Sequence, residues 1–578
     1  MSENRIVAYQ LADYLESLGV EVIFGLCGHT NIAFLDALGK SQIRFITSRH
    51  EQVAAHVADG YARASGKPGV LLTHLGPGLT NAATGVANAA LDAVPLVVIA
   101  GDVPAHYFGR HPHQEVNLHL DADQFEIYRP FCKRIWRVER PADLPRVIER
   151  AFYVAQSGKP GAVLVDVPMD VFSADLAAGA FERFPPARIG KPALDETVAV
   201  QIASALIEAE RPLIHVGGGI IRDRASQALL ALAEHLELPI SHTLMAKGAV
   251  PDTHPLNAGM TGFWGTPIAN ELCRTADLIL AVGTRLAEAD SSSWDPRFTF
   301  AVPPTRLIHV EIDPNELGRN LPTEIGAVSD SKHALQAILA AVRQIQLEPL
   351  QRHSVRGRIR DGRREFEQRW ADNRTSDQFP LRPERILADV RRVLPEDGLI
   401  VTDVGWNKNG VGQQFEITVP GTFLTPGGYA TMGFGPAAAL GVKVARPDRP
   451  VLALVGDGAF GSNMSVVATA MEANIPVVWV VMDNQAFGTI ALLEKHHFGW
   501  SFGCTFECNG EPYAVDYAAV ARACGAQAAS INQAHELAPT LEKALAAGAP
   551  YLIHVPMENV PTPTPGHWNI NDIYRVGE

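Results

Sequence analysis

Along most of the chain, short apolar runs that end in glycine or polar turns alternate with stretches of helical spacing. In the first third, Val20–Phe24, Arg44–Thr47, Gly69–Thr73, Leu96–Ala100 and Ala162–Val167 read as strands separated by helical pieces. Runs of this kind, apolar on both faces, belong to a parallel sheet covered by helices. The middle of the chain repeats the pattern at Leu213–Val216, Leu278–Val282 and Leu307–Ile312, and the last third at Leu399–Asp403, Val451–Val455, Val477–Met482 and Tyr551–Val555. The expected fold class is therefore α/β, with three doubly wound parallel-sheet domains. They are placed at 1–182, 188–345 and 378–558, with a linker at 346–377 and a C-terminal tail at 559–578.

The last domain holds the most informative stretch. Val451–Val455 stops at Gly456-Asp457-Gly458, a helical segment follows at Ser465–Glu472, and the strand Val477–Met482 ends at Asp483-Asn484. Such a unit brings Asp457 and Asn484 to adjacent strand ends, where ligands of parallel sheets bind. A carboxylate, an amide oxygen and a nearby backbone carbonyl suit a hard divalent cation that keeps phosphate oxygens as further ligands. The glycines leave backbone N–H groups open to a diphosphate. Two ordinary sheet turns are the plain alternative.

Composition narrows the setting. Apolar residues make up 47% and charged residues 19%, as in a large α/β enzyme. A net charge of −14 disfavours nucleic acid or an anionic membrane as partner. Six scattered cysteines (27, 132, 273, 504, 508 and 524) read as free thiols in a reducing compartment. No apolar run approaches a membrane span and the N-terminus is unlike a signal peptide, so a cytoplasmic enzyme with a small-molecule substrate is expected. The arginine-rich stretch from 346 reads as a solvated helical linker, with a phosphate site for a coenzyme A substrate as the alternative.

Glu51 opens the helical stretch EQVAAHVADGYARASG, with Ala54, Ala55 and Ala58 on its own face. An acid in a first turn is commonly a cap. The surrounding SRHEQVAAHVADGYARASGKPGV, however, resembles the pyrimidine-binding domain of the acetolactate synthase group of thiamine diphosphate enzymes. The unit around Asp457 and Asn484 resembles the cofactor motif of the same enzymes. The resemblance runs nearly the whole chain in the order pyrimidine-binding, middle and diphosphate-binding domain. It implies thiamine diphosphate with Mg2+ held by Asp457, Asn484 and the Ala486 carbonyl. Gly456, Gly458, Ala459, Phe487, Gly488, Trp406 and Asn407 would lie beside the cofactor. Ala430 and Met432 of PGGYATMGFGPAAALG would hold its rings. Glu51 would bond a pyrimidine nitrogen, and Gln114 with Glu115 would line the substrate channel. The family assembles as a homodimer or homotetramer with each site between subunits. Its middle domain carries FAD in acetolactate synthases; Gly265 and Arg285 fit that pattern and Gly217-Gly218-Gly219 reads as a dinucleotide-like turn, but Leu286-Ala287-Glu288-Ala289 replaces the expected acids.

Three departures separate the chain from a plain acetolactate synthase. Gly28-His29-Thr30-Asn31 stands where small residues are usual, His74 precedes Gly76-Pro77-Gly78 in place of a serine, and the tryptophan expected after Asn484 is absent from QAFGTIALLEKHHFG. His29 and His74 are candidates for moving protons near the reacting carbons. The implied activity is covalent catalysis that makes or breaks a C–C bond next to a carbonyl, on a 2-oxo acid. The alternative is a lyase, decarboxylase or hydrolase for a 1,2-dione or 2-hydroxyacyl-CoA. A flavin- or NAD-linked oxidoreductase, suggested by the triple glycine, is the reading from another class.

Overall fold

The computed structural model describes residues 4–117, 123–352 and 354–574. The extreme ends of the expected first domain and tail, and residue 353 of the linker, lie outside the described residues. Strands β1 (Val22–Gly25), β2 (Arg44–Thr47), β3 (Gly69–Thr73), β4 (Leu96–Asp102), β5 (Arg134–Arg137) and β6 (Ala162–Pro168) form one parallel sheet, in the order β2-β1-β3-β4-β6-β5. The middle sheet contains β7 (Pro212–Val216), β8 (Ile240–His242), β9 (Asn257–Met260), β10 (Leu278–Val282), β11 (Arg306–Glu311) and β12 (Ile325–Val328). Its order β9-β8-β7-β10-β11-β12 is that of dinucleotide-binding sheets. The last sheet contains β13 (Leu399–Thr402), β14 (Phe423–Leu424), β15 (Val451–Gly456), β16 (Val478–Asp483), β17 (Gln527–Ser530) and β18 (Tyr551–Pro556). Its order β14-β13-β15-β16-β18-β17 repeats that of the first sheet strand for strand.

The expected α/β class with three parallel sheets is what the chain adopts. Six strands of these three sheets escaped the apolar pattern, for two reasons. Arg134–Arg137, Ile325–Val328 and Gln527–Ser530 are sheet edges, half-exposed and polar or small, and Phe423–Leu424 is an edge of two residues. Ile240–His242 and Asn257–Met260 are buried but carry Ser, His, Asn and Gly, which hide their strand character. The linker is helical at Val355–Gln368 and spends its arginines on nearby acids. Arg356 pairs with Glu237, Arg358 with Glu271, Arg360 with Asp361 and Arg369 with Glu365.

The first and last sheets share one apolar core. Its centre is the crossing of helix Glu51–Ser65 with helix Phe434–Ala445. A Cβ on Gly60 would run into the Ala438 carbonyl, and one on Gly441 into the Val57 carbonyl. Only glycines allow the two backbones to come that close. Beside the crossing, Arg63 pairs with Asp59 at 2.6 Å and Asp92 at 2.8 Å, and its guanidinium lies 5.0 Å from the Phe434 ring. Gly441→Ala should therefore cost on the order of 1–3 kcal/mol of stability, the usual range for overpacking a close contact. A urea midpoint unchanged from wild type would show that the helices can part freely.

His56 sits fully buried in the same helix with neither ring nitrogen hydrogen-bonded, its ring perpendicular to that of Phe434 with centroids 5.7 Å apart. Burial, helped by Arg63, lowers its pKa to about 3. A folded-state pKa below the unfolded value means the unfolded chain takes up the proton first. The contribution to stability is whole above about 6.5 and is lost as pH falls toward about 3. His56→Leu should flatten the acid side of the stability curve by about 1.4 kcal/mol per pH unit. The measurement is proton uptake on unfolding at mildly acidic pH, which should drop by one in the variant.

Candidate active site

Glu51 lies just past the end of β2, His29 past β1, His74 past β3 and Gln114 in the loop after β4. These four strands are neighbours in the first sheet. In the last sheet the equivalent four strands lead to Ala430 and Met432 (after β14), Trp406 and Asn407 (after β13), Asp457 to Ala459 (after β15) and Asn484 to Gly488 (after β16). Because the two sheets share one strand order, both sets of expected site residues emerge at the same place in the topology, the carboxyl ends of the parallel strands.

Glu51 is 5% exposed, and its carboxylate accepts a hydrogen bond from the Asn81 amide at 3.0 Å. The helix start is instead capped by His50, whose ring accepts from the Gln52 N–H. The capping alternative for Glu51 thus goes to its neighbour, and the acid is left in a wall of buried alanines at 54, 55 and 58.

His74 is buried and held from both sides. Thr30 Oγ1 is 2.8 Å from Nδ1, and Gln114 Oε1 is 2.8 Å from Nε2. An amide oxygen only accepts, so Nε2 carries the proton and Nδ1 accepts from the Thr30 hydroxyl. Gln114 is presented with φ of +65°, in a loop closed by Glu115, which accepts from the Gly109 and His111 N–H groups. His29 is exposed and meets the His74 ring edge-on at 4.7 Å, with His113 at 5.8 Å on its other side. Burial of the ring, then His74 and His113, lower its pKa. Thr30 lay in the flagged loop 28–31 without a role of its own, and Asn81 and His113 had no signal in the sequence, being ordinary helix and loop residues until folding brings them to these groups.

In the last domain, Gly456 pairs in register with Met482, which sets Asp457 and Asn484 on adjacent strand ends. Asp457 is 2% exposed; Oδ1 accepts from the Gly458 N–H at 2.8 Å, while Oδ2 is buried without a hydrogen-bond partner. Burial pushes its pKa up to about 8, and the neighbouring Asp483 carboxyl adds to the rise. Asp483 in turn is bonded to His554 Nε2 at 2.7 Å. A buried carboxyl whose Oδ2 has no donor, next to a second carboxyl, is suited to exchange its proton for a divalent cation. Ala486 is buried, and Phe487 packs on Gly458 closely enough that a Cβ there would sit 2.6 Å from the ring.

Asn407 uses both ends of its amide inside its own turn, accepting from the Asp403 N–H and donating to the Val404 carbonyl. Its side chain therefore shapes the loop. Trp406 is 7% exposed, with an indole N–H lacking a hydrogen-bond partner. Ala430 has φ of +51°, and Met432, 41% exposed, stands out on the same loop.

Comparison with known proteins separates the candidate chemistries. Residues 5–127 match the thiamine pyrophosphate enzyme N-terminal TPP binding domain, 200–338 the central domain and 403–555 the C-terminal TPP binding domain. The chain belongs to the thiamine pyrophosphate enzyme family. It is 36% identical to a probable acetolactate synthase large subunit of Methanocaldococcus jannaschii, over 96% of this chain and 92% of that protein. It is 33% identical to the acetolactate synthase isozyme 1 large subunit of Escherichia coli, over 94% and 92%. The acetolactate synthase large subunit of Parasynechococcus marenigrum is 35% identical, over 95% and 87%. This thiamine diphosphate-dependent, acetolactate synthase-like enzyme is thus a carboligase-family protein from end to end, and the oxidoreductase alternative gives way to it.

The ring contacts yield a test. Histidine-labelled protein should show His74 as the Nε2–H tautomer, and Thr30→Val should shift the tautomer ratio about five- to tenfold, the worth of one hydrogen bond. Identical nitrogen shifts in the two proteins would remove Thr30 from the clamp.

Proposed function

We propose a Mg2+-dependent homo-oligomeric enzyme, dimer or tetramer, that makes or breaks the C–C bond beside the carbonyl of a 2-oxo acid. Each site would combine the pyrimidine-binding face of one subunit with the diphosphate-binding face of another. The observation that carries the cation part is the buried, unpartnered Asp457 Oδ2 beside Asn484. Asp457, Asn484 and the Ala486 carbonyl would hold Mg2+. The backbone at Gly456, Gly458 and Ala459 would face the diphosphate, with Trp406, Asn407, Phe487 and Gly488 around it. Ala430 and Met432 would support the rings. When bound, thiamine diphosphate supplies a nucleophilic carbon for covalent catalysis.

Glu51 is the carboxyl that would hold a proton at the pyrimidine nitrogen. His74, with both nitrogens engaged, is suited to orienting rather than exchanging protons. His29 is exposed beside it, within reach of a substrate, and that exposure makes it the better placed of the two to carry a proton. Gln114 would act on the substrate side through the same clamp. Three imidazoles gathered at the substrate loops favour a second reading. In it, the first fragment is protonated and released by a lyase, decarboxylase or hydrolase acting on a 1,2-dione or 2-hydroxyacyl-CoA.

A cleft of about 780 Å³ lies between the middle domain and the other two, lined by Gly217-Gly218-Gly219, Thr284, Arg285 and Glu311 together with Asp92 and Thr425. It lies where β7 and β10 meet, the switch point of a dinucleotide-type sheet. FAD or an adenine nucleotide is the proposed occupant, and the spectrum of acid-released supernatant tells the two apart. A cytoplasmic setting agrees with six free cysteines among the described residues and with no helix there long and apolar enough to cross a membrane.

Glu51→Gln keeps the size of the side chain and removes the titrating group. The variant should still bind cofactor, while hydrogen–deuterium exchange at the thiazolium carbon slows on the order of 10²-fold or more. Exchange at the wild-type rate would overturn the role given to Glu51. Substrate is settled by offering cofactor-loaded enzyme 2-oxo acids, diones and acyl-CoAs. A ligated product with carbon dioxide supports the first reading, a protonated or hydrolysed fragment the second.

A further inference from the structure

The amide of Asn484 has a partner from a distant part of the chain. Its Nδ2 donates to Oδ1 of Asn559 at 3.0 Å, and Asn559 stands at the root of the C-terminal tail. We propose that Asn559 is a positioning residue for the cation site, taking the amide N–H of Asn484 so that the Asn484 oxygen is left to face the cation. This rests on the Mg2+ site read above.

An asparagine amide is nearly symmetric in shape but opposite in chemistry at its two ends. A hard cation binds the oxygen and is repelled by the NH2. An Asn with no fixed neighbour can present either end, and half of its orientations are unproductive. An acceptor placed on one side selects the productive one, as outer partners of metal ligands do elsewhere.

Asn559 is well held for this task. Just before it, the Met557 N–H donates to the Asp483 carbonyl at 2.7 Å and the Glu558 N–H to the Leu381 carbonyl at 2.9 Å. The Glu558 carboxylate pairs with Arg382 at 2.9 Å and accepts from Gln378 at 2.7 Å. Residues 557–559 are therefore tied both to the strand that leads into Asn484 and to the segment that enters the last domain.

Gly488 supplies independent support. A Cβ there would collide with Asn484 Nδ2 and lie 2.8 Å from Asn559 Oδ1. Gly488 is not in the left-handed region, so backbone freedom does not require a glycine at this position. The space does: the missing side chain is where the two amides meet.

The test uses full-length apoprotein with saturating thiamine diphosphate and Mn2+ as a paramagnetic probe of the cation site. Asn559→Leu should weaken Mn2+ binding about 10–100-fold, the usual cost of losing an outer partner. Asn559→Asp keeps an accepting oxygen and should bind close to wild type, and Gly488→Ala should weaken binding as the leucine variant does. Asp457→Asn is the control for the site itself. If it leaves Mn2+ affinity intact, the cation reading fails and this inference with it. If it abolishes binding while Asn559→Leu is unaffected, or if the Asp and Leu variants at 559 are equally weak, the positioning role alone is overturned. Should the leucine variant fail to fold, Asn559→Ala takes its place: it removes the accepting oxygen without added bulk, weakened Mn2+ binding is expected, and wild-type affinity would overturn the positioning role.

Discussion

Everything in this molecule depends on how closely helix Glu51–Ser65 approaches helix Phe434–Ala445. Backbone meets backbone at Gly60 and Gly441, and the two outer sheets share a single apolar core through that contact. The same helix begins with Glu51 and the other follows directly on the loop of Met432. Packing and chemistry are therefore fixed by one crossing. A shift there would move Glu51 and the loop of Met432 together. This close-packed interior has no slack to absorb it.

The repeated strand order of the first and last sheets explains why so many chemistry-bearing residues lie in loops of unremarkable sequence. A parallel strand delivers its following loop to the same rim whatever the loop contains. Identical topology thus produced two rims, one with Glu51, His29 and His74, the other with Asp457 and Asn484. The first rim carries carboxyl and imidazole groups, and the second is the one proposed to hold the cation and diphosphate. That difference in chemistry is what the proposal of a site shared between subunits rests on.

What the sequence disclosed follows from the range of the interactions involved. The pairing of Asp457 with Asn484 was legible because a strand–helix–strand unit is local and its two ends are fixed by register. Glu51 was legible only through the resemblance of its neighbourhood, since an acid at a helix start is normally a cap. The clamp of Thr30 and Gln114 on His74 joins residues 44 and 40 positions from the histidine, and the bond of Asn484 to Asn559 spans 75. No periodicity records contacts of that kind. The edge strands were missed for a different reason: exposed on one side, they need no apolar run.

The loop that carries Ala430 and Met432 shows how charge completes what packing begins. Asp92 of the first domain accepts from the Gly427 N–H at 2.7 Å and the Gly428 N–H at 2.9 Å, while also pairing with Arg63. Arg63 reaches on to the Thr425 carbonyl at 3.1 Å, so both ends of that short segment are bound to the first domain. The Asp92 side chain is fully shielded from solvent, and Arg63 is 10% exposed. Breaking one partner of such a buried pair is expensive, about 3–5 kcal/mol, because the other charge is stranded. The ion network therefore does more than join two domains. It makes the position of the loop with Ala430 and Met432 depend on the domain that holds Glu51, so the two rims are coupled within one subunit.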